Sequence, residues 1–113
     1  MKEIKAIVRT ERVQAVVKAI EEIGAVRILI CHVHSLGAGV DPEDYRVSFE
    51  EGATYTEKSK VEVVCRDESV DGILSALSAA ARTGHPGDGI IVVTDLERVL
   101  QVRTGDEGVM ALA

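Results

Sequence analysis

The chain has no tryptophan, one phenylalanine and two tyrosines, so no aromatic cluster can build its core. Burial must come from Val, Ile, Leu and Ala, whose modest areas each stabilise at roughly 25 cal/mol per Å². A length of 113 residues fits one domain. A domain that small gains by burying a further face against another subunit. Positive charge is also scarce: the formal net charge is −6. That excludes a general nucleic-acid surface and leaves room for a local basic pocket. No apolar run approaches a membrane span and no apolar h-region opens the sequence, so membrane insertion and export are not expected. The two cysteines, Cys31 and Cys65, lie far apart in apolar strand patterns. They read as reduced, buried small hydrophobes, which points to the cytoplasm. What is present, 46% hydrophobic and 28% charged residues, is the composition of a globular domain rather than a disordered one.

Lys2 to Arg9 reads as a short strand with charged ends. Thr10 is a candidate N-cap for a helix carrying Val13, Val16, Val17, Ile20 and Ile23 on one face, and Gly24 stops it. Val26 to Val33 is a second strand, apolar enough to be covered on both faces in places. Residues 36–57 lack a sustained period and form a long loop, a feature that is generally functional or mobile. Lys60 to Cys65 is the third strand. Asp67 can cap a second helix with Val70, Ile73, Leu74 and Leu77 on one face, and Ile90 to Val93 is the fourth strand. Leu96 to Leu100 makes a turn or short helix, Gln101 to Arg103 a candidate edge strand, and Gly108 to Ala113 a small, mobile tail. Two β-α-β units with right-handed crossovers combine into a ferredoxin-like α+β sandwich, an antiparallel sheet with both helices on one face. Ile4, Ala6, Val61, Val63 and Cys65 are too apolar for water, so the open sheet face is expected to self-associate.

The most distinctive stretch is Ala81-Arg82-Thr83-Gly84-His85-Pro86-Gly87-Asp88-Gly89, between the second helix and the fourth strand. Glycine brings backbone N–H groups close to a ligand, successive N–H groups form an anion site, and Arg82 adds charge. A tight helix-to-strand connection with a glycine C-cap accounts for the same residues. A second polar segment, Val102-Arg103-Thr104-Gly105-Asp106, favours the anion site.

Together these segments resemble the two signatures of the PII signal-transduction proteins. Lys58-x-Lys60-Val61-Glu62-Val63-Val64 resembles that family's third strand, and Met1-Lys2-x-Ile4-x-Ala6-Ile7 its first. The likeness covers nearly the whole chain and fails mainly within residues 35–57. It implies a homotrimer of one-domain, ferredoxin-like subunits with adenine-nucleotide pockets between neighbours. Gly87, Asp88 and Gly89 would then meet phosphates through backbone groups, with Arg103 of the adjoining subunit pairing to phosphate. Glu62, Val64 and Thr83 would line the adenine and ribose end, with Leu29, Ser35 and Gly37 nearby. Lys58, Arg82 and His85 are further candidate anion contacts, and Mg²⁺ could accompany the nucleotide.

The departures from the family pattern narrow what the resemblance implies. Ile90 replaces a phosphate-reaching lysine and Gln101 an arginine, which favours ADP, AMP or a cyclic adenine nucleotide over ATP. Ser35 replaces a glycine. Gly39 replaces the glutamine that helps hold Mg²⁺ and 2-oxoglutarate, and Glu51 stands at the usual modified tyrosine. In such proteins the long loop docks on a target. Here it is acidic, with Asp41, Glu43 and Asp44 beside the aromatics Tyr45 and Phe49, which suits a basic groove on a transporter or metabolic enzyme. A solvated acidic loop without a fixed partner fits the charge pattern equally well.

Two other classes compete. His32 and His34, at i and i+2 in a strand, turn both rings to one side and could be two ligands of a Zn²⁺ or Cu²⁺ site in a trimeric metal-binding protein. Two solvated surface histidines are the simpler account. An enzyme is the third class, but no nucleophile–base pair is visible, so no catalytic residue is assigned.

Overall fold

The computed structural model describes residues 1–25, 27–37, 45–48, 50 and 53–112. Strand β1 spans Lys2–Arg9, helix α1 Val13–Glu22, β2 Leu29–Ser35, β3 Arg46–Ser48, β4 Ala53–Cys65, α2 Val70–Ala81 and β5 Gly89–Asp95. The main sheet has the order β2-β4-β1-β5 with antiparallel pairing throughout, and β3 pairs with the first part of β4. This is the expected ferredoxin-like α+β arrangement. Among the described residues no helix is long and apolar enough to cross a membrane.

Register determines which residues meet the helices, because successive strand side chains alternate between faces. Ile4 pairs with Val63 and Val93, and Ala6 with Val61 and Ile91. Ile4, Ala6, Val8, Val61, Val63 and Cys65 are buried in one cluster with Val16 and Ile20 of α1 and Ile73, Leu77 and Ala81 of α2. The apolar strand residues expected to drive self-association are therefore the floor of the helix-covered core. The opposite face carries Ile7, Val64, Leu29, Ile90 and Val92 among Lys5, Lys60 and Glu62, and Leu29 and Ile90 are 65% and 67% exposed.

Several local expectations are corrected. Thr10 does not cap α1: Thr10–Arg12 is a 3₁₀ turn without a side-chain cap, and the Thr10 hydroxyl meets that of Ser59 at 3.1 Å. Asp67 likewise opens a 3₁₀ turn, and its carboxylate accepts from the Met1 amino group at 2.7 Å. Gly24 does end α1, at φ +91°. The second strand starts at Leu29, after Arg27 takes the left-handed conformation at φ 59°; Val26, its expected first residue, lies outside the described residues. It is an edge strand with mostly exposed residues, not one covered on both faces. Cys31, on this edge strand, is accordingly exposed, while Cys65 is buried as expected.

The third strand is twice the expected length. It begins at Ala53, and the register pairs Thr56 to Glu62 with β2 and Lys58 to Cys65 with β1. Polar residues hid it, because Thr56, Lys58 and Ser59 are buried inside the strand. The expected loop at 36–57 is thus partly a hairpin stem. Gln101 to Arg103 adds no edge strand; Gln101 N–H donates to Asp106 O and Gly105 N–H to Gln101 O, each at 2.8 Å, closing a separate turn. Leu96 to Leu100 forms no helix, and Gly108–Leu112 is a 3₁₀ turn that buries Ala111, where a mobile tail was expected.

Candidate functional site

The glycine-rich turn leaves α2 at Ala81 and enters β5 at Gly89. Its centre is the side chain of Asp88. The carboxylate accepts from the N–H groups of Thr83 and Gly84, each at 2.8 Å, from the Thr83 hydroxyl, and from Arg9 Nε at 3.1 Å. The Thr83 hydroxyl, then the Thr83 and Gly84 N–H groups and Arg9, hold the Asp88 carboxyl far below the usual carboxylate range. His85 N–H donates to Thr83 Oγ1 at 3.2 Å, while the His85 and Arg82 side chains are exposed.

Two cations anchor the turn to the sheet. Arg9 Nη2 donates to Pro86 O at 2.7 Å, and Lys58 Nζ donates to Gly87 O. Lys58, a candidate anion contact from sequence, thus holds a turn carbonyl. Gly89 is tied to this place by shape: at φ +104°, a Cβ there would lie 1.7 Å from Ile7 O. Gly84 and Gly87, at φ +89° and +98°, supply the turn's other left-handed positions.

The sequence-derived residues fall into three groups. Thr83, Gly87, Asp88 and Gly89 form the turn itself, with Lys58 against it. Leu29 and Glu62 are cross-strand partners, and Val64 lies two positions along the same face. Glu62 pairs with Lys60 at 3.1 Å. Ser35 pairs with Thr56 at the other end of β2, near Gly37, whose φ is +119°. Arg103 lies apart in the exposed 101–105 turn, and within one chain no hydrogen bond or ion pair among the described residues joins it to the glycine-rich turn. Gly39, Asp41, Glu43, Asp44, Phe49 and Glu51 lie outside the described residues; Tyr45 is described and exposed.

Open space adjoins the turn on two sides. A groove of about 280 Å³ runs between Ser78, Ala81 and Arg82 of the α2 end and Gly89, Ile90 and Ile91 of β5. A smaller polar cleft of about 120 Å³ is lined by Arg9, Thr10, Glu11, Arg46, Glu57 and Lys58 at the base of the β3–β4 hairpin.

Arg9 was missed by sequence reasoning. It reads as the charged end of a strand, yet it is buried directly opposite Lys58. The signal was its position in register with another cation, which only the pairing reveals. Among the described residues no group of three or more candidate metal ligands is found around the histidines. His32 Nδ1 meets Ser59 Oγ at 3.3 Å, and the His34 ring stacks on Tyr55 with centroids 3.8 Å apart.

A family model described as "Nitrogen regulatory protein P-II" matches residues 1–106, which includes both glycine-containing segments. Among curated proteins, a "Nitrogen regulatory protein P-II" of Rhizobium meliloti is 33% identical over 112 residues, covering 99% of this chain and 100% of the relative. One of Microchaete diplosiphon is 35% identical over 113 residues, with 99% and 100% covered. The "Nitrogen regulatory protein P-II 2" of Methanothermobacter thermautotrophicus is 33% identical over 118 residues, with 99% and 97% covered.

Proposed function

The chain belongs to the nitrogen regulatory protein P-II family, and on that premise we propose that it is a homotrimeric sensor of an adenine nucleotide. In this reading it signals to a target protein through residues 36–57 and performs no catalysis. The observation that carries the reading is the preformed turn at Thr83–Gly89. Asp88 closes it and two buried cations brace it, so its backbone is organised before any ligand arrives. Preorganised N–H donors lose little freedom when they bind an anion, which favours affinity.

The nucleotide phosphates would meet Gly87, Asp88 and Gly89 through the backbone, together with Arg103 of a neighbouring subunit. The base and ribose would lie towards Leu29, Gly37, Glu62, Val64 and Thr83, with Mg²⁺ as an accessory cation. The open sheet face, with Leu29, Ile90 and Val92 exposed, supports burial against neighbouring subunits. Ile90 and Gln101 bring no charge to the phosphates, which favours ADP or AMP over ATP. The ligand would bias the loop through differential affinity for its states.

The test is isothermal titration with ATP, ADP, AMP and cyclic AMP, with and without Mg²⁺ and 2-oxoglutarate, on protein whose mass in solution is measured by sedimentation. A trimer that binds ADP or AMP, with affinity reduced about tenfold or more in Arg103→Ala, is expected from the loss of a charged hydrogen bond. Binding of no nucleotide overturns the sensor reading. Mg-ATP binding strengthened by 2-oxoglutarate overturns the preference drawn from Ile90 and Gln101.

A further inference from the structure

A cavity of about 330 Å³ opens between the end of α1 and the start of α2, far from the glycine-rich turn. The register sets that separation: Cys65, in its wall, pairs with Lys2, whereas Gly89 pairs with Val8 at the other end of β1. It lies on the helix side of the sheet, because Val63 and Cys65 belong to the core cluster that holds Ile73. Leu29 and Glu62, one step out of phase, face the opposite side.

Two features of the chain leave this space. Helix α1 stops at Gly24, and Ala25 N–H donates to Ile20 O at 2.9 Å, so the chain turns off before it covers the end of β4. Strand β2 also joins late. Its register with β4 begins at Leu29 and Glu62, so among the described residues Val63 to Cys65 have a strand partner on the β1 side only. The 3₁₀ turn Gly108–Leu112 supplies Leu112 as a further wall.

The lining combines three chemistries. Ile23, Ala25, Val63, Ile73 and Leu112 make apolar walls, and Ile23 is left 51% exposed. Arg66 and Glu68 line the same cavity, one charge of each sign, and both are exposed. The Ser69 N–H donates to Arg66 O at 3.0 Å, which holds the two charges on one short turn. Asp67 between them is engaged by the Met1 amino group. The side chains of Arg66 and Glu68 have no hydrogen bond or ion pair among the described residues. Small-molecule sites join an apolar hollow of about 300–1,000 Å³ to a few placed polar groups, and this cavity falls at the small end of that range.

We infer that the cavity binds a free aliphatic α-amino acid of the size of leucine. Such a ligand carries a branched apolar side chain for the walls, a carboxylate for Arg66 and an ammonium for Glu68. A guanidinium takes a carboxylate through two parallel N–H donors. The aliphatic side chain removes Ile23 and itself from water together. A ligand with one head charge leaves either Arg66 or Glu68 without a counterpart. The inference is independent of the nucleotide reading.

The test is a methyl-resolved NMR titration of the full chain with L-leucine, and with glycine, isovalerate and isopentylamine as partial probes. L-Leucine is expected to shift the methyl signals of Ile23, Val63, Ile73 and Leu112 together and to saturate. Glycine lacks the side chain, and isovalerate and isopentylamine each lack one head charge, so each is expected to bind several times more weakly. Arg66→Gln and Glu68→Gln are each expected to weaken leucine binding about fivefold, the upper worth of an exposed ion pair. Both positions are exposed, so the variants keep the fold.

No saturable shift of these methyls up to about 10 mM leucine, beyond the millimolar end of specific binding, overturns the site. Isovalerate or isopentylamine binding as tightly as leucine overturns the amino-acid assignment. Wild-type affinity for leucine in both glutamine variants overturns it equally. ADP binding by the same protein, present or absent, changes none of these outcomes, so failure here and failure of nucleotide sensing are told apart.

Discussion

The carboxylate of Asp88 meets the guanidinium of Arg9 at 3.1 Å, joining the end of β1 to a turn almost eighty residues later in the chain. The same carboxylate accepts from Thr83 and Gly84. One side chain therefore closes the turn on itself and fastens it to the sheet. A carboxylate has acceptor capacity for all of these donors, whereas a neutral amide has one oxygen and adds donors of its own.

Asp88→Asn should therefore loosen the turn without unfolding the domain, and hydrogen exchange at the Thr83 and Gly84 amides should become faster. In the wild type the pH dependence follows from the direction of the shift. The folded-state carboxyl lies below the ordinary value of 3.8, held there first by the Thr83 hydroxyl. The contribution of this ionised group is present in full above that value and is lost only as pH falls below it towards the folded value. The Asp88 side-chain carboxyl carbon shift should stay flat between about pH 8 and 5. A transition near neutral pH would contradict the assignment.

Gly89→Ala should be strongly destabilising. The added Cβ would lie 1.7 Å from the Ile7 carbonyl oxygen, backbone that cannot step aside without parting β5 from β1. At Gly84, with φ +89°, an added Cβ would meet nothing within 4 Å, so Gly84→Ala faces only the left-handed penalty of about 1–2 kcal/mol. Thermal unfolding of the two variants should separate them, with Gly89→Ala the lower. Equal melting temperatures would remove the steric argument.

The sheet and helices were legible because their apolar residues repeat at the right periods. Val16 and Ile20, and Ile73 and Leu77, mark the helix faces that are buried. Strand β4 was half hidden because its first part buries Thr56, Lys58 and Ser59, and polar residues in a strand carry no apolar alternation. Their partners are remote in sequence: Ser59 meets Thr10 and His32, and Lys58 meets Gly87. The glycine-rich turn was legible as a turn from Gly84, Pro86, Gly87 and Gly89. Its brace was not, since nothing in the string Val8-Arg9-Thr10 sets Arg9 apart from a solvated strand end. The direction of the open sheet face was also misread. Alternation says that two sets of residues face opposite ways, but only the helices decide which set is covered.

Leu77→Ala should cost about 2–5 kcal/mol, the range for truncating a large core side chain. Leu77 is 1% exposed and packs from α2 into the cluster that holds Ile4, Val61 and Val63. Leu74, on the same helix, is only partly buried, so Leu74→Ala should cost less. Denaturant unfolding of both variants checks the order, and a reversed order would mean that α2 sits on the sheet by a different face.

Arg12 provides the remaining case, because its effect should appear far from its own position. Its Nε and Nη2 donate to the carbonyl oxygen of Ala80 at 2.9 and 2.6 Å, which links the start of α1 to the last turn of α2. The last carbonyls of a helix lack intrahelical donors, and a cation there also meets the negative end of the helix dipole. Arg12→Met keeps much of the apolar stem and removes the donors, so it should cost about 1.5–3 kcal/mol. The loss should concentrate at the end of α2, with faster exchange at the Arg82 amide, which donates to Ser78 O at 3.1 Å. Lys18→Met, at an exposed position of α1, is the control and should stay within about 0.5 kcal/mol of wild type. Because Ala80 accepts through its backbone, no side-chain change at residue 80 can mimic the loss, and Arg12→Lys should restore part of it. If Arg12→Met melts with Lys18→Met and leaves the Arg82 amide protected, the cap contributes nothing measurable, and the end of α2 is held by Leu77 and Ala81 in the core alone.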